Sequence, residues 1–351
     1  MSGSSRSSRS CDVVVVGAGA MGSSAAWWLA RRGLDVVVLE QFEAGHVRGS
    51  SHGSSRIFRL AYPDRRYVAM AAEALPLWGE LSDEAGVALL RTVGGLDHGY
   101  EPSVRAVADA MAAEGVAHSW LSAEEAAARW PGLVFTSPVL FQPDAGSTDA
   151  RSTVAALQRL AAARGAELHF STPVLDVAET PSGVRVTTAA EEFVAPVAVV
   201  AGGAWMPRLV AGLEPIVVTQ EQVFHFSPRT AETEWPTFIH HQRPFMYGLP
   251  APSPEGIKVA EHHTGAPVDP DTRDFAIDPA GQARVVDYVE RWLPGLDPGV
   301  ASAATCLYAN TATEDFIIER RGNLVIAAGF SGHGFKFTPL VGRLLADLAT
   351  P

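Results

Sequence analysis

The chain has 351 residues, 47% hydrophobic and 19% charged, the balance of a folded globular protein long enough for two domains. A formal net charge of −12 excludes a basic field for nucleic acid, and no apolar run approaches the roughly 20 residues of a membrane span. Two cysteines, Cys11 and Cys306, make no disulfide framework, and a cytoplasmic location is expected.

Residues 1–10, MSGSSRSSRS, read as a disordered leader. With the apolar stretch behind them they mimic a signal peptide, but that stretch contains a three-glycine turn and runs on into a second strand, so it belongs to the fold. Val13–Val16 predicts a short buried strand. Gly17, Gly19 and Gly22 follow with G-x-G-x-x-G spacing, then a helix over Ala25–Arg32 closed by Gly33, and a second strand over Val36–Leu39 ended by Glu40. Each part has a task in holding a dinucleotide: Gly17 for the tight turn, Gly19 for approach of backbone to a pyrophosphate, Gly22 for close packing of helix on strand. The helix start aims free N–H groups and a positive dipole end at phosphates, and Glu40 can accept from a ribose hydroxyl.

A loop of small residues, 43–55, suits backbone folded over a cofactor, an ordinary surface loop being the alternative. Helices are expected over Tyr67–Leu81, Val104–Glu114, Ala123–Trp130 and Ser147–Arg164, the last capped by Ser147 or Thr148. Strands follow at 166–170, 173–178, 183–188, 192–195 and 198–201, the last running into Gly202-Gly203. From Ile216 to Val259 the pattern alternates like an antiparallel sheet. Gly281–Trp292 is helical, Phe316–Ile318 and Leu324–Ala328 are strands, and Gly329–Phe337 leads into a last helix at Leu340–Leu348. This order predicts an α/β chain in which a discontinuous Rossmann-like domain (11–85, 147–212 and 303–351) is interrupted twice by an α+β substrate domain (86–146 and 213–302) carrying an antiparallel sheet. Of 27 Lys and Arg residues only Lys258 and Lys336 are lysine, which singles them out for work that needs a compact, tunable ammonium.

Four segments carry a resemblance over nearly the whole chain: DVVVVGAGAMG from Asp12, SHGSSRIFRLAY (Ser51–Tyr62), ATCLYANTATEDFIIE (Ala304–Glu319) and VIAAGFSGHGFKF (Val325–Phe337). The chain resembles the monomeric sarcosine oxidase and N-methyltryptophan oxidase family, FAD enzymes of the glycine/D-amino-acid oxidase class. The resemblance implies that the Rossmann-like domain binds FAD and that Cys306 holds it covalently through a thioether, a reaction helped if nearby positive charge lowers the thiol pKa. It implies a carboxylate clamp of Arg59 and Lys336, and a substrate site that includes Tyr247, His262 and Tyr308. Lys258 matches the lysine that assists reaction with O2, and Arg56 and His52 match positions close to the flavin; Lys258, His262, Arg56 and Tyr308 are the expected catalytic residues. Ser51, His52, Gly329, Ser331, Gly332, His333 and Gly334 join Gly17, Gly19, Gly22 and Glu40 as expected cofactor contacts, with no metal. His333 is read as structural within its loop.

Departures from the family pattern are the polar segment Trp235–Met246, with His240, His241, Gln242 and Arg243, a loop after Tyr62 one residue shorter, and a chain that stops at Pro351 where members usually run on. The polar segment is expected as a solvated loop; facing the site, it would suit a substrate larger or more polar than sarcosine. The expected reaction is oxidation of a small-molecule secondary amine, foremost an N-methyl amino acid of the sarcosine type, with hydride transfer to FAD, O2 reduced to H2O2 and the imine hydrolysed to aldehyde and amine, in a monomer. The alternatives are an oxidase of a bulkier or cyclic amine, a nicotinamide dehydrogenase, and a non-catalytic dinucleotide-binding protein.

Overall fold

All four side chains of Val13–Val16 are buried, and a strand hidden on both faces belongs in the middle of a parallel sheet. In the computed structural model, which describes residues 7–230 and 234–350, it sits there. Among the described residues this sheet has six strands, in the order Glu167–His169, Val36–Leu39, Val13–Val16, Val197–Val200, Leu324–Ala328 and Ile317–Arg321. The first five run parallel and the last pairs antiparallel. Val16 is level with Leu39 and Val200, so Gly17, Glu40 and Ala201 emerge side by side at the carboxyl edge, where open α/β sheets bind their ligands. Helices Ala20–Arg31 and Thr338–Ala349 pack on one another, with Trp28 Nε1 donating to the Pro339 carbonyl at 2.9 Å. Together with a four-stranded sheet, these elements form one compact unit: Met1–His52, Arg151–Thr219 and Leu307–Pro351.

Two expectations change in this unit. Residues 7–10 of the expected leader form a strand parallel to Glu191–Ala195, and Arg9 reaches Asp35 and Glu167; residues 1–6 lie outside the described residues. The first helix begins at Ala20, immediately after the glycine turn, and not at Ala25.

The second unit is Gly53–Ala150 with Gln220–Cys306. Among the described residues its main sheet has nine strands, and its centre runs Val217–Pro228, Ile257–Glu261, Met246–Pro250, Thr237–His241, Gly95–Gly99 and Val139–Gln142. The expected antiparallel alternation holds except where Thr237–His241 pairs parallel with Gly95–Gly99. Side chains alternate between the two faces. Phe224, Phe226, Phe238, Met246 and Val259 go to one face, packing with Val285, Val289 and Leu293 from the Pro279–Trp292 helix region. The cross-strand pairs Gly95/Gln142, Ile239/Asp97, Ile239/Tyr247, Ala260/Tyr247 and Leu249/Lys258 send Gln142, Asp97, Tyr247 and Lys258 to the opposite face, with His241 two residues beyond Ile239.

The sequence boundary at 85/86 gives way to one at 52/53. Ser55–Phe58 pairs with Gly146–Asp149, which also pairs with Leu90–Thr92, and these ladders tie 53–85 to the second unit. For the same reason Ser147 and Thr148 lie in a strand, and the helix expected from Ser147 starts at Ala150. Gly146 permits this: a Cβ there would overlap the Arg91 carbonyl oxygen. Trp235–Met246 is not a solvated loop, because Thr237–His241 is a strand with His240 and His241 buried. Among the described residues no helix is long and apolar enough to cross a membrane, and no group of three or more His, Cys, Asp or Glu could hold a metal ion.

Candidate active site

The carboxyl edge of the first unit is built around backbone that tolerates no side chains. Gly17 has φ +98°, and a Cβ on it would stand 2.5 Å from the Ala201 carbonyl oxygen; one on Gly22 would overlap the Gly17 carbonyl oxygen. The helix that starts here has Gly19 as its N-cap, with no side-chain cap and no acidic residue in its first turn, so its positive end is left for a ligand. Ser51 Oγ accepts from the Ala20 N–H at 3.0 Å, and Ser50 Oγ donates to the Leu307 carbonyl at 2.6 Å, which fastens the Ser50–His52 loop on both sides. Glu40 is buried and accepts from the N–H groups of Ala18 (2.8 Å) and Phe42 (3.1 Å), with His46 Nε2 at 3.5 Å. Burial works against its charge, but these partners outweigh it and hold its pKa below the ordinary carboxylate range. Two oxygens with about four acceptor sites leave room for a ribose hydroxyl as well.

The glycine-rich loop after Leu324–Ala328 is locked by its own polar groups. Buried Ser331 has φ +43°; its N–H donates to the Ala309 carbonyl, its Oγ donates to the Gly329 carbonyl at 3.1 Å and accepts from the Thr311 N–H at 3.2 Å. The Ser331 hydroxyl therefore serves the loop itself. A Cβ on Gly332 would overlap the ring of Tyr308, which packs flat against this backbone. His333 Nε2 faces the Glu314 carbonyl oxygen at 3.0 Å, and the buried Lys336 Nζ donates to the His333 carbonyl at 2.7 Å.

In the second unit two cations converge. Lys258 Nζ donates to the Ser55 carbonyl at 3.0 Å, and Arg56 Nη1 donates to the same oxygen at 2.8 Å. Lys258 is buried, and that burial, reinforced by the Arg56 charge, pushes its pKa down to about 7. Cys306 lies within electrostatic reach of both, yet burial wins: its thiol pKa is raised, with Arg56 and Lys258 only moderating the rise. The hydroxyls of Ser54 and Ser55 are buried without a hydrogen-bond partner among the described residues. On the same sheet face, Tyr247 meets His262 edge to face with centroids 6.2 Å apart, and the His262 N–H donates to the Phe245 carbonyl at 2.9 Å. Arg59 folds back on its own loop, donating to the Ala61 carbonyl and lying 4.2 Å above the Tyr62 ring. The second unit thus brings together Arg56, Lys258 and Cys306, and separately Tyr247 and His262, while Tyr308 and Lys336 are placed by the first unit.

The profile of the DAO family, FAD dependent oxidoreductase, matches residues 12–348. The chain belongs to this family. It is 34% identical to the monomeric sarcosine oxidase of Bacillus sp. (strain NS-129), over 97% of this chain and 92% of that one. Among solved structures it is similar to NikD, described as an unusual amino acid oxidase essential for nikkomycin biosynthesis (TM-score 0.88, 29% identity, 97% and 94% of the two chains). It is also similar to the L-proline dehydrogenase from P. horikoshii (TM-score 0.87, 25% identity, 97% and 94%). Family membership makes the chain an FAD-dependent oxidoreductase and sets aside the nicotinamide dehydrogenase.

The residues suit FAD. A cradle that a Cβ at Gly17 or Gly22 would fill, a helix start free of acidic residues and the spare acceptor sites of Glu40 match a dinucleotide. Sequence reading missed Ser55, whose contribution is a backbone carbonyl and so carries no residue-type signal. It also missed Asp97 and Gln142, which share the Tyr247 and Lys258 face.

Proposed function

We propose that this family member oxidises secondary amines, foremost N-methyl amino acids of the sarcosine type, with O2 reduced to H2O2. Two electrons and two protons leave the substrate, the resulting imine takes up water, and an aldehyde and a primary amine are released. When bound, FAD would supply the hydride acceptor and the carrier of the electron pair to O2. Gly17, Gly19, Gly22, Glu40, Ser51 and the Gly329–Gly334 loop would hold it, and Cys306 would anchor it through a thioether.

Arg59 offers a fork of donors to the substrate carboxylate, held in place by its stacking on Tyr62. Tyr247 and His262 orient the amine, which must be neutral to release a hydride. Lys258 places an ammonium in a buried site, where it stabilises negative charge developing on O2 far better than it could in water. The observation that carries the oxidase reading is the pair of cations on the Ser55 carbonyl. Their mutual repulsion is a cost that an anion formed beside them relieves.

The second reading, a bulkier or cyclic secondary amine, is favoured by the likeness to the L-proline dehydrogenase from P. horikoshii, proline being a cyclic secondary amine. Anaerobic mixing with sarcosine, followed at the visible flavin band, separates the two. Rapid bleaching supports the sarcosine-type substrate. Bleaching only with N-methyl-L-tryptophan or proline moves the reading to the larger amine, and an unbleached band with every amine tried overturns amine oxidation.

A further inference from the structure

Leu60 lies between the Ser55–Phe58 strand and the Arg65–Ala85 helix, and it is buried. Its N–H lies outside the strand ladder and is buried, so it requires a specific acceptor. That acceptor is Gln142 Oε1 at 2.9 Å. The other end of the same amide, Nε2, donates to Asp97 Oδ2 at 3.2 Å, and Asp97 Oδ1 faces His241 Nε2 at 2.9 Å. Gln142, Asp97 and His241 are all buried and come from three adjacent strands.

The chemistry of the chain gives it direction. A backbone N–H can only donate and a carboxylate can only accept, so Gln142 has one workable orientation, oxygen toward Leu60 and NH2 toward Asp97. His241 must likewise carry its proton on Nε2. The preceding residue along the loop is Arg59, whose guanidinium is braced on Ala61 and Tyr62 of the same loop. Where that loop sits, the guanidinium sits, and the Leu60 to Gln142 bond sets the depth of the loop. We infer that Asp97, Gln142 and His241 are positioning residues for Arg59, governing the grip on the substrate carboxylate without touching it. The inference rests on the carboxylate role proposed for Arg59.

The other titratable groups around this chain are His98 on the Asp97 strand, His240 stacked on it at 4.2 Å, and Tyr288 from the neighbouring helix, whose hydroxyl is 3.1 Å from His240 Nδ1. They belong to the opposite sheet face, and burial holds both histidines neutral. Phe245 closes on His241 edge to face at 5.4 Å. His241 is therefore the titratable partner in contact with Asp97.

Gln142→Leu keeps the volume and removes both bonds. The holoenzyme is titrated with acetate, a bare carboxylate, and binding is read from the flavin spectrum; KM and kcat are measured with sarcosine. Expected are a roughly tenfold weaker acetate affinity and a matching rise in KM, with kcat changed less than about twofold, the loss of one buried hydrogen-bonded link. In an Arg59→Ala background, Gln142→Leu should add nothing further. Unchanged acetate affinity in Gln142→Leu, or full additivity with Arg59→Ala, overturns the inference while leaving Arg59 its role. No effect of Arg59→Ala itself removes the carboxylate role and the inference with it. Should Gln142→Leu not fold, Gln142→Glu decides: its acid must hold a proton to donate to Asp97, so its affinity relative to wild type should recover as pH falls, and a pH-independent ratio overturns the proposal.

Discussion

At the scale of single residues the decisive group is Lys258. Its pKa of about 7 makes it an ammonium below neutrality and an amine above. If its charge assists O2, the reaction of the reduced enzyme with O2 should slow as pH rises through about 7. Lys258→Met should lose that dependence and react about 10²-fold more slowly, while reduction by the amine changes less than about threefold. Stopped-flow mixing with O2 and, separately, anaerobic mixing with amine measure the two; equal slowing removes Lys258 from the oxygen step. Cys306 poses the opposite problem, since burial raises its thiol pKa in the protein alone. The attachment proposed at this residue is tested directly. Cys306→Ser should leave FAD extractable with acid, and flavin that stays bound to that variant after acid precipitation would exclude this linkage.

At the scale of elements, the turn between Val13–Val16 and Ala20–Arg31 has no spare volume. A methyl group at Gly22 would collide with backbone, which cannot swing away as a flexible side chain can. Gly22→Ala is expected to cost about 3 kcal/mol and to leave the protein mostly without flavin, measured by the ratio of visible to ultraviolet absorbance and by melting. A fully loaded variant with unchanged melting would mean that the turn can relax. This element was legible in the sequence because its determinants are local: apolar run, glycine spacing and closing acid lie within 29 residues, Asp12–Glu40. Ser147–Asp149 was misread because its strand character comes from ladders to Ser55–Phe58 and Leu90–Thr92, far away in the chain. His240 and His241 looked like solvated polar residues, yet alternation in a strand sends one to each face, and each finds a buried partner. No local pattern announces that Gln142 will meet Leu60 82 positions away. Residue types were readable; distant partners were not.

At the scale of the whole molecule, the perturbed groups tilt stability toward mildly alkaline pH. His225 and His240 have folded pKa values of about 4 against an ordinary 6.5, and His98 is also held well below, in each case chiefly by burial. Between those values the unfolded chain binds more protons, so stability is lost as pH falls below 6.5, at about 1.4 kcal/mol per pH unit for each proton taken up. Glu40 extends the loss below 4.5, because its folded pKa is depressed. Lys258 acts between about 7 and 10.5, where the unfolded chain again holds the extra proton, and there stability rises with pH. Cys11, raised to about 11, opposes this above 9, since the unfolded thiol ionises first. The sum has stability rising up to about pH 9 and no longer rising beyond it, above the midpoint typical of globular proteins. Melting of the holoenzyme followed by circular dichroism from about pH 4 to 11 tests it. His240→Phe should flatten the acid limb, whatever it does to the melting temperature at neutrality, because it removes one of the protons taken up on unfolding. A melting temperature that peaks below pH 6.5, or an acid limb equally steep in His240→Phe, would show that these buried histidines do not set the acid limit.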